Sequence, residues 1–298
     1  MSETRSAIVA LVGRANVGKS TLMNRILGEK VSIVSPIAQT TRNLVRGVLT
    51  EKRGQLAFLD TPGVHKASYD LGRIMNRTAR SSIEGSDVAL LLLDASQRPR
   101  DEDLGWMQKL CRGEATVAIA LNKTDINGEF IERYREGWTN LPGEEPTRDP
   151  LWFEVSAKTG KGVEALVTAL FEMAPEGPHL FPEDMLSDFP RRWNISDVVR
   201  EKFYAHLKDE LPHAIAVRVD KLTEKDDRWD VDVLIYVNRS SQKGIVIGHK
   251  GKLLKTVRAQ AETELKEMYE KKIRLHLWVK VEKDWAKNHF ILKQLGYQ

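Results

Sequence analysis

From Gly13 to Ser20 the chain reads Gly-Arg-Ala-Asn-Val-Gly-Lys-Ser, a G-x-x-x-x-G-K-S pattern. An apolar run at 7–12 precedes it and helical spacing at 21–27 follows. That strand, loop and helix context separates a phosphate-binding loop from an incidental glycine turn. Successive backbone N–H groups from Gly13 through Val17, Gly18 and Thr21 would converge on a polyphosphate. Glycines let the chain approach it, and the helix N-terminus adds partial positive charge. Lys19 is placed to reach the β- and γ-phosphates, and the Ser20 hydroxyl to bind Mg²⁺. Such a loop needs a strand carboxyl end to sit on, which commits the first part of the chain to an open α/β sheet.

The rest of the pattern agrees. Apolar or alternating runs at 6–12, 44–50, 55–59, 88–93, 116–121 and 151–155 predict six strands. Helical spacing at 20–27, 71–82, 103–111, 128–136 and 163–173 falls between most of them. Alternation of this kind predicts a mainly parallel sheet with helices on both faces. The second and third strands are joined by only Glu51-Lys52-Arg53-Gly54, a connection open to an antiparallel pair alone, so the sheet is expected to be mixed.

Three further motifs follow predicted strands. Asp60-Thr61-Pro62-Gly63 closes the third strand, where the Asp60 carboxylate can hold Mg²⁺ through a water, opposite Ser20, and the Gly63 N–H can approach a γ-phosphate. Asn122-Lys123-Thr124-Asp125 closes the fifth. Guanine presents two donors on one edge, N1–H and the exocyclic amine, and a single carboxylate accepts both. Adenine has no such pair, so Asp125 selects guanine, and a buried polar group left unpaired by the wrong base discriminates by about 10⁴-fold. Asn122 would tie the loop and the Lys123 stem would lie over the purine. Ser156-Ala157-Lys158 follows the sixth strand, where backbone N–H groups can meet the guanine O6. Between the phosphate loop and Asp60 lies Gln39-Thr40-Thr41-Arg42, expected to order when a threonine meets Mg²⁺ and the γ-phosphate and to relax on hydrolysis. Thr41 is the expected ligand, Thr40 the alternative.

Composition then changes. Ala174-Pro175-Glu176-Gly177-Pro178 begins an irregular, proline-bearing stretch, so the reading is a first domain over 1–173, a linker over 174–193 and a second domain over 194–298. The second domain predicts a helix from 194 to about 211, strands at 214–220 and 229–237, a short helical turn at 243–247, a helix over 252–269, a strand over 274–281 and a helical tail over 285–295. Gly248-His249-Lys250-Gly251 stands between the short and long helices as a G-x-x-G loop. Helix, strand, strand, helix, G-x-x-G, helix, strand is the type II KH order, and in a KH fold that loop clamps single-stranded RNA backbone. Lys250, Lys252 and Lys255 add charge, Ile245 and Val246 would line the floor beneath unstacked bases, and His249 either donates to a phosphate or fills the loop. Trp285 and Lys287 in the basic, aromatic tail either extend the groove or belong to a packing helix. The second half of the long helix, with Glu262, Glu264, Glu267 and Glu270, is expected to show solvent an acidic face.

Charge locates the same partner. Lys plus Arg against Asp plus Glu is 23 to 23 over residues 1–178, 9 to 13 over 179–238 and 14 to 6 over 239–298, so the excess of +8 lies wholly in the last stretch. Such an asymmetry fits a polyanion there, or a solvated basic surface. A single cysteine, Cys111, excludes an internal disulfide and a cysteine metal cluster, and favours a reducing compartment with Cys111 as a structural thiol. No apolar run approaches the ~20 residues of a membrane helix, and the first residues lead directly into a strand, leaving no room for a signal peptide.

Residues 6–173 resemble a translation-factor-class GTPase domain. With the type II KH pattern behind it, the whole chain resembles the bacterial Era family of ribosome-associated GTPases. The residues that carry the resemblance are Gly-Arg-x-Asn-Val-Gly-Lys-Ser, Gln-Thr-Thr-Arg, Asp-Thr-Pro-Gly and Val-Ile-Gly-x-Lys-Gly. Ala15 stands where the family often has proline. The resemblance implies binding to 16S ribosomal RNA near its 3′ end, a role in assembly of the 30S subunit, a cytoplasmic location and peripheral association with the inner membrane; the chain is expected to be a monomer. Val64 stands where Ras-like proteins place the water-orienting glutamine, so hydrolysis is expected to be slow unaided. Lys19, Thr41, Gly63 and Asn16 are the candidate catalytic groups. Asn16 and Thr41 resemble GTPases in which K⁺ supplies the missing positive charge, with the Asn16 side chain as a ligand. Two other readings stay open: a constitutive RNA-binding chaperone whose nucleotide site is structural, and a phosphotransferase using GTP as donor. No acceptor-pocket motif supports the second.

Overall fold

The computed structural model describes residues 4–35, 37, 40–63, 70–141 and 149–297. Gln39, Val64 and the rest of 64–69 lie outside the described residues, and with them the expectations placed on the missing glutamine and on ordering of that loop. The chain divides into two compact units, one of Met1–Ser32, Thr41–Lys66 and Met75–Asp188, the other of Ile33–Thr40, Ala67–Ile74 and Phe189–Gln298.

In the first unit β1 (Arg5–Val12), α1 (Lys19–Leu27), β2 (Val45–Glu51), β3 (Gly54–Asp60), α2 (Asp70–Glu84), β4 (Val88–Asp94), α3 (Asp101–Cys111), β5 (Thr116–Asn122), α4 (Ile131–Thr139), β6 (Leu151–Glu154) and α5 (Val163–Met173) follow in order. The six strands form one sheet in the order β2-β3-β1-β4-β5-β6, with β2 antiparallel to β3 and the other pairs parallel. The unbroken apolar run of β4 is explained by its place: Val88 to Leu93 are fully buried, because helices cover both faces. Each such leucine contributes ~1.5–3 kcal/mol on burial. Register brings the chemistry to one edge. Leu11 pairs with Asp60 and Asp94 with Asn122, so β1 ends close to level with β3 and β4 level with β5, while Val12 opposite Leu91 lets β4 and β5 run three residues further at the same end of the sheet.

The units do not part at the composition break. Residues 174–188 belong with the first unit, and the reason is a buried amide. Gln55 Oε1 accepts from Leu180 N and Phe181 N at 2.8 Å each, and Nε2 donates to Phe181 O at 3.1 Å. Val48 N donates to Leu186 O at 2.8 Å, and Arg46 pairs with Asp188. Pro175 itself accepts from Ser6 N at 3.1 Å, so the proline-bearing stretch is a strap along the sheet rather than a pivot.

The second unit contains α6 (Arg191–Tyr204), α7 (Leu211–Ala214), β7 (Ala216–Glu224), β8 (Arg228–Val237), α8 (Ser240–Ile247), α9 (Lys252–Tyr269), β9 (Lys272–Val281) and α10 (His289–Gln294). Its sheet has the order β7-β8-β9, antiparallel then parallel. Ile195, Val199 and Phe203 of α6 and Val257, Ala261 and Leu265 of α9 bury against Val231, Val233 and Ile235 of β8. The single long helix expected from 194 to 211 is two pieces, because Asp209 takes φ +55° and Pro212, which cannot sit inside a helix, falls in the first turn of α7. The tail is likewise broken: Trp285–Lys287 is a 3₁₀ turn, and the Asn288 side chain caps α10 at Phe290 N and Ile291 N. Among the described residues no helix is long and apolar enough to cross a membrane.

Candidate nucleotide site and nucleic-acid face

The phosphate loop joins β1 to α1. Lys19 opens the helix and is buried, its ammonium donating to the carbonyls of Gly13 and Arg14 at 3.0 Å each. Burial lowers the Lys19 pKa to about 8, against the opposing pull of Asp60. A polyphosphate would supply negative charge that reverses the shift. Asn16 is exposed in the left-handed region at φ +64°, a conformation asparagine tolerates. Gly63 lies against the backbone of Ala15.

Four oxygens gather at the end of β3. Asp60 is fully buried, and its Oδ2 accepts from Ser20 Oγ at 2.6 Å, Ser32 Oγ at 2.8 Å and Thr41 Oγ1 at 3.4 Å. Ser20 Oγ and Thr41 Oγ1 are 2.9 Å apart. Thr40 is turned elsewhere, its hydroxyl donating to Ile37 O at 2.6 Å. Asp60 Oδ1 is buried with no hydrogen-bond partner. Burial raises the Asp60 carboxyl above its usual range, offset in part by Lys19 and the three hydroxyls. An all-oxygen cluster around a buried carboxylate short of positive charge fits Mg²⁺.

At the base end, Asn122 ties two loops. Its Nδ2 donates to Val17 O at 2.7 Å, and its Oδ1 accepts from Ala157 N at 2.9 Å. A Cβ on Gly18, at φ +102°, would stand 2.3 Å from that same Nδ2, so glycine makes room for the tie. Asp125 is exposed and oriented by Ser156 Oγ, which donates to its Oδ1 at 2.7 Å. Arg25 of α1 holds the third loop by donating to Ala157 O at 3.2 Å and to Lys158 O. The Lys123 ammonium rests on Asp94 Oδ2 at 2.7 Å.

In the second unit α8 ends at Gly248, whose φ of +74° and close neighbour matter: a Cβ there would fall 2.7 Å from Leu253 Cβ. His249–Gly251 form a 3₁₀ turn with Lys250 at φ +50° and Gly251 at φ +75°, and α9 starts at Lys252. His249, Lys250, Lys252 and Lys255 are exposed around it. Backbone and ammonium donors therefore crowd one loop with no acid beside it in sequence, which suits a phosphodiester chain.

Comparison with known proteins decides what these two sites belong to. A family model described as "50S ribosome-binding GTPase" matches residues 8–123, and one described as "KH domain" matches residues 210–286. GTPase Era of Geobacter metallireducens is 40% identical over 297 residues, 98% of each chain. GTPase Era of Lacticaseibacillus paracasei is 38% identical over 303 residues, 100% of this chain and 98% of its own. The chain belongs to the Era family of GTPases. Solved Era structures have the same fold over the same span. Era in complex with MgGDPNP and nucleotides 1506–1542 of 16S ribosomal RNA matches with a TM-score of 0.92 at 35% identity, covering 99% of both chains. An Aquifex aeolicus Era variant bound to GDP and aluminium fluoride matches at 0.91, also at 35% identity and 99% coverage of both chains.

Within this Era-family KH unit some expected contacts are corrected. Val246 is 0% exposed and belongs to the core, while Ile245 beside it is 52% exposed. Neighbours on a helix point about 100° apart, so only one of the two can face a ligand. Trp285 is also 0% exposed, and its Nε1–H donates to Ala214 O at 2.8 Å. Its ring packs the tail and is closed to bases. Lys287 is exposed and 3.8 Å from Asp284. The acidic face of α9 is half spent: Glu262 accepts from Leu275 N on the edge strand at 2.8 Å, and Glu264 pairs with Lys202.

Several residues escaped the sequence reading. Ser32, Arg25 and Asp94 are close to the named motifs in space and far from them along the chain, so spacing carried no sign of them. Trp278 did have a signal. The alternation of β9 turns Ile273 and Leu275 inward and leaves Lys272, Arg274, His276, Trp278 and Lys280 exposed, the indole at 63%.

Proposed function

We propose that this GTPase is a nucleotide-driven switch that binds the 3′ region of 16S ribosomal RNA through its KH domain and assists assembly of the 30S subunit. The observation that carries the reading is where the chain before Thr41 is seated. Residues Ile33–Thr40 count with the second unit, Ile33 is buried in that unit's core, and Arg200 of α6 donates to Thr40 O at 2.9 Å. Thr41, one peptide bond on, supplies its hydroxyl to the Asp60 cluster. A group that would respond to the γ-phosphate is thus covalently joined to a segment packed in the RNA-binding unit, and coupling follows to the extent that RNA affinity differs between nucleotide states. The relative solved with both MgGDPNP and a 16S fragment supports the same pair of ligands.

In the proposed mechanism GTP and water give GDP and phosphate. Lys19 and the loop N–H groups hold the β- and γ-phosphates, Gly63 donates its N–H to the γ-phosphate, and Asp125 reads guanine. Ser20, Thr41 and Asp60, the last through a water, would hold Mg²⁺, whose charge offsets that on the phosphates. Asn16 would ligate K⁺, so exchange of K⁺ for Na⁺ should slow hydrolysis; an unchanged rate removes that role. A cytoplasmic location accords with the lone thiol Cys111, half-buried against the first core, and the chain is proposed to act as a monomer. Peripheral membrane contact would be electrostatic, through the basic second unit.

The test is binding of a short RNA from the 3′ end of 16S ribosomal RNA with GDP and with a non-hydrolysable GTP analogue. Tighter binding with the analogue, lost in Gly251→Asp, supports the switch. A Cβ added at Gly251 would meet no atom within 4 Å, so a carboxylate there acts by repelling phosphate and by its own strain at φ +75° rather than by a clash. Equal affinity in both states favours the constitutive chaperone.

A further inference from the structure

Arg14 occupies a variable position of the phosphate loop, yet the residue is only 7% exposed. Its Nε donates to Asp103 Oδ2 at 3.2 Å and its Nη2 to Gln97 Oε1 at 3.2 Å, and Nη2 lies 3.8 Å from Asp94 Oδ2. That same Asp94 oxygen takes the Lys123 ammonium at 2.7 Å and Gln97 Nε2 at 3.0 Å. Asp94 Oδ1 accepts from Ser96 N and Oγ at 3.2 and 2.6 Å. Tyr134 closes the cluster, its hydroxyl 3.3 Å from Asp94 O and 3.4 Å from Asp103 Oδ2. Asp94 and Asp103 have no exposed surface. Burial works to raise the Asp94 carboxyl, and the Lys123 and Ser96 contacts outweigh it and hold the group below the usual range.

Two carboxylates and a guanidinium buried together contribute little net stability, because desolvation offsets their attraction; such clusters are retained where they set a geometry. Here the geometry has two ends. Arg14 O is one of the two carbonyls that accept from Lys19. Lys123 belongs to the loop that carries Asp125. One buried oxygen of Asp94 therefore stands between the loop that holds phosphate and the loop that holds base.

We infer that Asp94 is a positioning residue for the nucleotide, setting the phosphate loop through Arg14 and the base loop through Lys123, so that the two ends of a guanine nucleotide are bound cooperatively. The inference rests on the assignment of both loops made above. The Asp94 carboxylate accepts hydrogen bonds from Ser96, Gln97 and Lys123, none of them a group assigned to the γ-phosphate or Mg²⁺, so its effect is expected to be equal in ground and transition states.

In the full-length protein Asp94→Asn should raise KM for GTP and Kd for GDP by the same factor, about 10-fold or more, with kcat shifted far less. A coupling measurement separates positioning from simple support of the fold. Arg14→Met and Lys123→Met should be non-additive in GDP affinity by about 5-fold or more, and additive once Asp94 is asparagine. Additivity in the otherwise unaltered protein overturns the inference, as does a fall in kcat at constant KM. Should Asp94→Asn fail to fold, the Arg14–Lys123 pair alone decides by the same criterion. Asp125→Asn is the separate control: if it leaves GDP affinity unchanged, the base-loop assignment itself fails, whereas if it weakens GDP and the Arg14–Lys123 pair is additive, only the role of Asp94 falls.

Discussion

At the scale of single residues the candidate nucleotide site is a set of charges held by hydrogen bonds from neighbouring side chains. Asp125, the proposed reader of the two guanine donors, is held by a hydrogen bond from Ser156. Asp125→Asn replaces an acceptor pair by one acceptor and one donor, the pattern xanthine matches. GDP affinity should fall by at least about 10²-fold and affinity for the xanthine nucleotide rise, measured by competition against a labelled nucleotide. Trp285 shows the opposite case, a residue whose chemistry suggests a ligand and whose environment assigns it to the core. Trp285→Ala should destabilise the second unit by about 3–5 kcal/mol in denaturant unfolding, while RNA affinity measured where the variant remains folded should not change. A loss of RNA affinity without loss of stability would return the indole to the RNA face.

Among elements, the strap over 174–188 is the least expected. Proline and glycine mark it as irregular, and it is irregular, but the Gln55 amide and the backbone of β2 hold it. Gln55→Ala removes four hydrogen bonds from a fully buried position, three of them to the strap and one to Thr50 Oγ1, and leaves Leu180 N and Phe181 N without that acceptor, at ~1–3 kcal/mol for each group left buried and unpaired. The expected result is faster limited proteolysis within 176–188, with the P-loop still binding GDP. Unchanged cleavage would show that the strap is held by its other contacts. The α8–α9 turn is legible by contrast, because G-x-x-G names both its conformation and its place between helices. The split of α6 from α7 was legible only in part: Pro212 marks a break, but Asp209 at φ +55° does not announce itself in sequence.

For the whole molecule the charge division is the main physical fact. The +8 excess over 239–298 includes Lys250, Lys252 and Lys255 around the turn and Lys272, Arg274 and Lys280 on β9. Binding of single-stranded RNA should therefore weaken with salt. Replacing Lys250 and Lys252 by alanine should reduce the slope of log affinity against log salt by about 1.4 if both meet phosphate, at ~0.7 per contact. An unchanged slope would move the phosphate path off the G-x-x-G turn. GDP affinity, set in a first stretch with no net charge, should be untouched by the same pair.

The division between what the sequence determines and what the tertiary structure decides follows contact distance along the chain. Strand order, the mixed sheet, the glycine loop between β1 and α1 and the KH order are legible in the sequence. Each depends on periodicity or on residues within a few positions of one another, where backbone geometry is set locally. What stayed hidden depends on burial and on partners far apart in sequence. Ser32 reaches Asp60 across 28 positions, Lys123 reaches Asp94 across 29, and Arg14 reaches Asp103 across 89. Trp285 and Val246 are withdrawn from solvent by groups that no local pattern names. Hydrophobic burial and the satisfaction of buried polar atoms are sums over the packed interior, and only the folded chain evaluates them.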